Sequence, residues 1–344
     1  MENWIKSNLK NEELVLSSRI RLARNLDGIP FPHKLENDKK KELVKSIESA
    51  FYSFSNNDNQ FKTIYLWDKD SSFNEVFLEK HLISKKLLDN QNSAAFIVDK
   101  NETASIMINE EDHIRIQSIT SGFNLEEALD LSNKIDNLLE ENLDYAFDEK
   151  LGYLTACPTN IGTGLRASVM IHLPAIGLSN KFNGVVNAIT QVGMTVRGLF
   201  GEGSKTVGNI YQISNQITLG LSEEEILSNL KVVVNQIIHE ENLLREDIIK
   251  RYKYEIEDRI YRALGILKSA ILLTSDECLK LLSDVRMGVE MGIIKGVDKV
   301  ILNELLVETQ NATIQQAETK KLSNREKEFN RAKLTREKLA KKIS

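Results

Sequence analysis

The spacing of apolar residues divides the chain into a mixed α and β region and a helical region that follows it. Short apolar runs at 94–98 and 105–108 are bounded by polar turns, which is typical of β-strands. Polar and apolar residues alternate over 113–117, so we predict a strand with one solvated face there. Apolar residues within 125–140 recur at helical spacing, so we predict a helix between the strands.

Helical signals replace strand signals in the last third of the chain. Ser222 and Glu225 match a capping box before a long helical pattern, and Thr274 and Glu277 mark a further helix start. We therefore predict a mixed α and β domain followed by an all-helical domain. The predicted domains are 14–244 and 245–344.

Composition narrows the class of protein. The 344 residues are 41% apolar and 28% charged, as expected for a folded protein with a sizeable core, and the formal net charge of −5 argues against nucleic-acid binding. No apolar run is long enough to span a membrane and residues 1–10 lack a signal-peptide core, so we expect a cytoplasmic protein. The two cysteines, Cys157 and Cys278, exclude a disulfide scaffold, and the histidines show no metal-ligand spacing.

Arginines cluster in the segment 17–25. Because side chains alternate along a strand, Arg19 and Arg21 would point to the same face. The planar fork of each guanidinium can bind phosphate through two parallel charge-assisted hydrogen bonds. The pair predicts an anion clamp, and the alternative is a solvated strand edge with surface ion pairs.

Three consecutive acids stand at Glu110, Glu111 and Asp112, and His113 and Arg115 follow them. Like charges this close repel one another, so we expect a cation to neutralise at least one acid. A substrate guanidinium would do so. The alternative is an acidic turn without a role.

Two glycine-rich loops follow. The segment 157–168 contains glycines, hydroxyls and Arg166, and such loops let backbone N–H groups approach phosphates, although the Gly-Lys of a Walker A loop is missing. Pro158 and the polar loop argue for partial exposure of Cys157, which a reactive thiol needs, and the alternative is a buried inert thiol. The loop at 197–206 is either flexible enough to close over a substrate or an ordinary surface loop.

These segments together supply dispersed arginines, carboxylates and a thiol, which suits phosphoryl transfer by positioning and charge neutralisation. The stretches SSRIR, NEEDHIR, CPTNIGTGLRAS and Arg-Gly followed by Glu202 resemble the signature segments of phosphagen (guanidino) kinases. The resemblance covers residues 14–244. Segments at 211–216 and 282–286 are similar to one subfamily, the bacterial protein-arginine kinases, which carry a C-terminal helical domain.

The resemblance implies an α+β fold with an antiparallel sheet flanked by helices, followed by the helical domain. It implies that Glu111 deprotonates the guanidinium, that Glu202 is a second substrate carboxylate and that Cys157 lies beside the guanidinium. A guanidinium has no free lone pair for attack, so it must lose a proton as phosphorus approaches. The residues that match the family's site for ATP and Mg²⁺ are Ser17, Ser18, Arg19, Ile20, Arg21, His81, Arg115, Arg166, Ala167, Ser168, Val169, Met170, Arg197, Gly198, Leu199, Phe200, Gly201 and Glu202.

Lys205 departs from the subfamily pattern, which has GEGSE where this chain has GEGSK. If the last position carried the catalytic acid, Lys205 would abolish activity. The five-residue spacing from Arg197 favours Glu202 as the acid, so we expect activity to survive.

The subfamily's RDxxRA motif, a regulatory phosphoarginine pocket, also differs here. The corresponding residues are Lys327, Glu328, Arg331 and Ala332. Lys keeps the charge of Arg but loses its bidentate fork, so we expect weak regulation by phosphoarginine. The stretch 324–342 that contains them is rich in Lys, Arg and Glu, and the alternative is a solvated or frayed helix.

The resemblance implies transfer of the ATP γ-phosphate to arginine side chains of proteins. In the subfamily this marks proteins for a Clp-type unfoldase and protease and inactivates a heat-shock repressor. The resemblance also implies a homodimer, with a zinc-binding activator protein and an arginine phosphatase as partners. We expect neither nucleic acid nor a membrane as a partner.

Two alternatives stay open. The first is a kinase for free arginine or another small guanidino compound. The resemblance argues against it, because in the wider family an N-terminal helical domain helps enclose such a substrate and we do not expect one in the few residues before Ser17. The second is a non-catalytic adaptor that binds phosphoarginine, although the residues expected for catalysis are retained.

Overall fold

The computed structural model describes residues 3–7, 14–53, 60–179, 181–199 and 207–340. They form two compact units, each assembled from segments distant in sequence. Of the described residues, unit one holds those within Met1–Trp4, Ser17–Val169 and Ser214–Lys231, and unit two holds those within Ile5–Leu16, Met170–Ile213 and Val232–Ser344.

Strands and helices alternate up to residue 215, and helices follow. The strands are β1 (Val15–Arg24), β2 (Phe61–Tyr65), β3 (Ala95–Asp99), β4 (Ala104–Ile108), β5 (Ile114–Ser121), β6 (Phe147–Asp148), β7 (Gly152–Tyr153), β8 (Leu165–His172), β9 (Met194–Gly198) and β10 (Ile210–Asn215). The helices are α1 (Asn37–Tyr52), α2 (Ser71–Glu79), α3 (Lys85–Asp89), α4 (Leu125–Glu140), α5 (Pro174–Leu178), α6 (Phe182–Gln191), α7 (Glu223–Ser269), α8 (Ser275–Glu290), α9 (Lys299–Glu308), α10 (Asn311–Gln316) and α11 (Asn324–Ala340).

A large sheet forms the centre of unit one. Its strands lie in the order β2-β3-β4-β5-β1-β8, followed by the last two residues of β10, Ser214 and Asn215, and the pairs β2–β3, β3–β4, β4–β5 and β5–β1 are antiparallel. In unit two, β9 lies beside β10, while β6 and β7 form a separate small hairpin in unit one. The predicted α+β fold, an antiparallel sheet with helices and a helical C-terminal region, is confirmed.

The prediction of a solvated face on the strand at 113–117 is wrong. Every residue of β5 except Arg115 is buried. On one face Ser118 accepts a hydrogen bond from Ser132 of α4 at 3.0 Å, and on the other Gln117 donates to the backbone oxygen of His81 at 2.8 Å. The polar positions of the alternating pattern therefore face a buried polar site.

The predicted helix starts are confirmed. At the start of α7, Ser222 and Glu225 exchange side-chain to backbone hydrogen bonds of 2.7 and 3.1 Å, which is a complete capping box. The hydroxyl of Thr274 accepts from the N–H of Glu277 at 3.2 Å at the start of α8. Helix α7 is kinked at Tyr252, which has φ −134° and ψ 41°. The domain boundary at residue 244 stays a prediction.

Buried charges organise unit two. The carboxylate of Glu241 in α7 accepts the N–H groups of Ala175 and Ile176 at the start of α5, both at 2.9 Å. Arg245, one turn further along α7, bridges Glu241 and Glu290 of α8 at 2.8 Å each. A buried carboxylate needs such partners, so this network fixes the long helix against α5 and α8.

Helix α11 is neither fully solvated nor detached from unit two. Its charged residues surround a buried face formed by Arg331, Ala332, Thr335 and Leu339. The lysines and glutamates on its other faces account for the polar composition of the segment.

Candidate active site

Three arginines of adjacent strands lie on one face of the unit-one sheet. In the antiparallel register of β1 and β5, Arg21 is opposite Gln117 and Ala23 is opposite Arg115. Residues two apart on a strand share a face, as do residues opposite each other. Arg19, Arg21 and Arg115 therefore point to the same side, which confirms the alternation predicted for β1.

Arg21 lies at the centre of this cationic cluster. Its Nε and Nη2 atoms are buried and have no hydrogen-bond partner among the described residues. Burial lowers the pKa of Arg21 well below its ordinary value, and the charges of Arg19, Arg166 and Arg115 lower it further. The cluster has the electrostatics of a site for a polyanion.

Two other arginines of the cluster are oriented by serine hydroxyls. Arg166, on β8, donates to the Oγ atom of Ser214 from Nε at 3.3 Å and from Nη2 at 3.1 Å. Arg19 donates to Ser168 at 3.4 Å. These contacts limit the freedom of both guanidinium groups.

His81 lies beside the arginine cluster in a left-handed backbone conformation, with φ 63°. Its ring centre is 6.0 Å from that of Trp4. Burial, with a smaller contribution from the charge of Arg19, lowers the pKa of His81 to about 3. His81 is therefore neutral at physiological pH and can offer a ring nitrogen to a ligand without adding charge.

The acidic segment connects β4 to β5, and the chain itself supplies its counter-charge. Arg115 approaches Glu110 at 2.7 Å and Glu111 at 3.3 Å, and Lys86 approaches Glu111 at 2.5 Å. The expectation that a cation neutralises the acids is confirmed, with Arg115 and Lys86 as the cations.

The first two acids differ in accessibility. The Glu110 side chain is 1% exposed, whereas that of Glu111 is 22% exposed. Burial alone would raise the pKa of Glu110, but the charge of Arg115 and a hydrogen bond from Ser84 lower it overall. Glu110 is thus held as an ion inside the protein, while Glu111 is open to an incoming cation.

Cys157 begins a single 3₁₀ turn, Pro158–Asn160, and is half-buried. Its Sγ atom lies 3.1 Å from the hydroxyl oxygen of Thr159. The expected partial exposure of the thiol is confirmed, whereas Cys278 is buried.

The glycines after Cys157 allow close backbone contacts. A Cβ atom on Gly162 would lie 2.5 Å from the carbonyl oxygen of Thr218, and one on Gly164 would lie 2.6 Å from that of Ala23. Both glycines also have positive φ. The two glycines therefore let the loop pack closely against β1 and against the segment after β10. The loop then leads directly into Arg166.

Other members of the predicted nucleotide set have structural contacts. The Ser18 hydroxyl donates to the carbonyl oxygen of Gly122 at 2.6 Å and accepts from the N–H of Asn124 at 3.0 Å, just before α4. The strand residues that are buried in the sheet are Ser17, Ile20, Ala167, Ser168, Val169 and Met170. Only their backbones and the smaller polar side chains could contact a nucleotide.

Only some residues in the last part of the predicted nucleotide set lie within the described residues. Arg197 and Gly198 lie on β9 of unit two, and Leu199 follows. Phe200, Gly201, Glu202 and Lys205 lie outside the described residues.

The predicted phosphoarginine residues lie together near the start of α11. Arg331 is buried and donates to the backbone oxygens of Thr309 at 2.6 Å and Leu273 at 2.8 Å, and to Asn311 at 2.6 Å. Its neighbours Ala332, Lys327 and Glu328 range from buried to half-exposed. The pocket itself stays a prediction.

Several residues of the site were missed by sequence reasoning. Ser84 and Lys86 contact the acids from α3 and the residue before it, and Ser214 orients Arg166 from β10. No sequence motif marks them. Ser214 lies in the segment 211–216, which resembles the subfamily but carries no predicted role.

Comparison with known proteins identifies the class of this chain. Residues 42–244 match the family model of the ATP:guanido phosphotransferase C-terminal catalytic domain, and residues 253–344 match that of the protein-arginine kinase McsB C-terminal domain. Lombricine kinase has a similar structure, with a TM-score of 0.59 and 28% identity, covering 70% of this chain and 69% of that one. The duplicated taurocyamine kinase of Schistosoma mansoni, with bound transition-state analogue components, has a TM-score of 0.61 and 25% identity over 76% of this chain and 39% of its own.

Relatives of known name are similar over the whole length. A protein-arginine kinase of Clostridium kluyveri is 66% identical over 341 residues, 99% of each chain. One of Clostridium acetobutylicum is 57% identical over 339 residues, 98% of this chain and all of its own. One of Halothermothrix orenii is 46% identical over 98% of this chain and 97% of its own. The chain belongs to the protein-arginine kinase family of ATP:guanido phosphotransferases.

Proposed function

We propose that this chain transfers the γ-phosphate of ATP to arginine side chains of proteins. The observation that carries the proposal is the state of Arg21, whose two buried nitrogen atoms lack hydrogen-bond partners among the described residues. Positive charges of Arg19, Arg115 and Arg166 act on it. Desolvated cations held together are costly unless an anion compensates them, and a nucleotide polyphosphate carries enough charge to do so.

The arginine cluster suits phosphoryl transfer. Such transfers depend on positioning and on neutralising charge on the phosphoryl oxygens, for which arginine forks are well shaped. Among the described residues no group of three or more acidic, His or Cys side chains could hold a metal ion. Mg²⁺ bound to the nucleotide phosphates would add further charge neutralisation.

The acidic segment suits the acceptor. Glu111 is the partly exposed acid, and we assign it the proton of the substrate guanidinium. Its ion pair with Lys86, whose side chain is 55% exposed, is of the weak surface type, so a substrate cation can displace it at little cost. We assign Cys157 a place beside the guanidinium and Glu202 the role of second carboxylate.

The choice of protein arginine over a free guanidino compound is supported by the full-length similarity to proteins named protein-arginine kinase. We extend the proposal to a cytoplasmic homodimer that marks proteins for a Clp-type unfoldase and relieves heat-shock repression, with a zinc-binding activator protein and an arginine phosphatase as partners. Within the described part of the chain, no helix is long and apolar enough to cross a bilayer.

One incubation tests the proposal. The protein is mixed with ATP and Mg²⁺ and either an unfolded protein or free arginine, and acid-labile phosphate is located by mass spectrometry. We expect phosphate on protein arginine. Phosphate on free arginine alone would support the small-substrate alternative. Absence of transfer together with phosphoarginine binding would support the adaptor.

A further inference from the structure

Asp112, the third acid of the segment, is buried and forms hydrogen bonds with two parts of the chain that are distant in sequence. Its Oδ1 atom accepts hydrogen bonds of 2.7 Å from Nδ2 of Asn25 and of 2.7 Å from the backbone N–H of Ala156. Asn25 follows β1, and Ala156 directly precedes Cys157. One carboxylate oxygen therefore joins the acidic segment, the arginine strand and the loop that carries the thiol.

Asn25 uses its whole amide in this arrangement. Its Nδ2 atom donates also to the carbonyl oxygen of Leu154 at 3.0 Å, and its Oδ1 atom accepts from the N–H of His113 at 2.9 Å. Asn25 is 1% exposed. Because every donor and acceptor of a buried amide is engaged, the side chain has a single orientation.

His113 fixes the far side of the same framework. Its Nδ1 atom accepts from the N–H of Leu26 at 3.0 Å, so Nε2 carries the proton and donates to the carbonyl oxygen of Pro30 at 2.9 Å. Burial lowers the pKa of His113 below its ordinary value, so this neutral tautomer persists at physiological pH.

The other carboxylate oxygen of Asp112 is an exception among buried polar atoms. Oδ2 is buried without a hydrogen-bond partner among the described residues and lies 4.0 Å from Nη2 of Arg115. Leaving a buried charged oxygen without a hydrogen bond costs free energy. The Oδ1 atom, by contrast, accepts two short hydrogen bonds, and these fix the geometry around Asp112.

We propose that Asp112 and Asn25 are positioning residues that set the place of Cys157 relative to Glu111. Glu111 precedes Asp112 in the chain and Cys157 follows Ala156, so the 2.7 Å bond between Asp112 and Ala156 links the two backbones. Neither positioning side chain is exposed to a substrate. The inference rests on the roles proposed for Glu111 and Cys157.

The test compares Asp112→Ala, which removes the acceptor, with Asp112→Asn, which keeps an oxygen at that position. Asn25→Ala removes the other partner. Asp99→Ala is the matched control. Asp99 lies at the end of β3, and like Asp112 it is a buried carboxylate that accepts backbone N–H groups at 2.7 Å. Each variant is measured for thermal unfolding, kcat, the KM for ATP and the rate at which iodoacetamide alkylates Cys157.

We expect Asp112→Ala and Asn25→Ala to lower kcat by about 10²-fold, the scale of an ångström-sized misplacement, with little change in the KM for ATP. The kcat of Asp112→Asn should be about tenfold higher than that of Asp112→Ala, because asparagine restores the acceptor for the Ala156 N–H. Alkylation of Cys157 should change in the two alanine variants and not in Asp99→Ala.

The proposal is overturned if Asp99→Ala lowers kcat as much as Asp112→Ala at equal loss of stability, or if Asp112→Asn recovers nothing. If a variant fails to fold at assay temperature, alkylation of the folded fraction at lower temperature still decides, since unchanged Cys157 reactivity contradicts positioning. Unchanged kcat in both Glu111→Gln and Cys157→Ser would instead refute the proposed roles themselves.

Discussion

Arg115 forms an ion pair with the buried Glu110, with 2.7 Å between Nη1 and Oε1. Arg21 lies on the same face of the sheet, yet two of its nitrogen atoms are buried without a hydrogen-bond partner among the described residues. One guanidinium thus forms a direct ion pair with its own chain, whereas two nitrogen atoms of the other have no such contact among the described residues.

This contrast predicts opposite effects on stability. Arg21→Met should raise the midpoint of thermal unfolding of the ligand-free protein, because it removes a desolvated charge, and should abolish stabilisation by ADP. Arg115→Met should lower the free energy of unfolding by about 3–5 kcal/mol, because it leaves Glu110 buried without its cation. Thermal unfolding with and without ADP measures both. Equal destabilisation by the two substitutions would contradict the assignment of Arg21 to an anion.

Glu111→Gln should keep the fold and nucleotide binding but lower turnover by about 10²-fold or more, the scale of a lost general base. The structure supports separate effects because Glu111 is partly exposed, whereas the buried Glu110 forms the closer ion pair with Arg115. Calorimetry with ADP and a transfer assay measure the two properties. Turnover near that of the wild type would remove Glu111 from the mechanism.

Cys157 should react with alkylating agents faster than Cys278. Cys157 is half-buried, whereas Cys278 is buried and its burial raises the pKa of its thiol. Peptide mapping after brief iodoacetamide treatment measures the two rates, and Cys278→Ser provides the single-thiol control. ATP with a protein substrate should slow the reaction of Cys157. Equal rates without protection would make Cys157 a structural residue.

The double variant Lys327→Arg, Glu328→Asp should respond to phosphoarginine more strongly than the unmodified protein. Arginine restores a bidentate partner that lysine cannot provide, and both positions are partly exposed. Kinase rate against added phosphoarginine measures the response. Strong and equal activation of both forms would show that the pocket tolerates Lys327 and Glu328.

Stability should fall as the pH falls below about 6.5, in part through His113. Burial lowers the pKa of His113 in the folded protein. The unfolded chain therefore binds a proton that the folded chain does not, and the free energy of unfolding decreases with decreasing pH. Between pH 7 and 5, His113 accounts for at most about 2 kcal/mol of this loss.

His113→Asn should remove that part of the pH dependence while keeping an acceptor for the Leu26 N–H. Urea unfolding at both pH values, on the wild type and the variant, measures the difference. Identical pH dependence in the two proteins would mean that His113 has the same pKa in the folded and unfolded states.

Much of the fold could be predicted because local signals agreed with it. The capping pair Ser222 and Glu225 and the helical spacing at 125–140 are local properties, and the structure has both features as expected. The alternation of Arg19 and Arg21 likewise depends only on strand geometry.

Residues brought in from other segments could not be predicted. Ser214 contacts Arg166 across 48 positions and Lys86 contacts Glu111 across 25. Nothing in the sequence near either residue encodes its partner. The error over β5 has the same origin, since Gln117 is polar because it bonds the backbone at His81 rather than because it meets water.

The framework around Asn25 has a consequence for synthesis of the chain. Asn25 bonds His113 and Leu154, which lie 88 and 129 positions later. Contacts of such high sequence separation form late, and a nascent chain folds from its N-terminus as it leaves the ribosome. The end of the arginine strand therefore cannot be fixed until most of the first half of the protein has been synthesised. Likewise, the Arg166 side chain cannot be oriented before Ser214 is present. A truncated translation product ending before residue 154 would therefore carry the arginine strand and the acids without the contacts from Asn25 to Leu154 and from Asp112 to Ala156 that complete the framework.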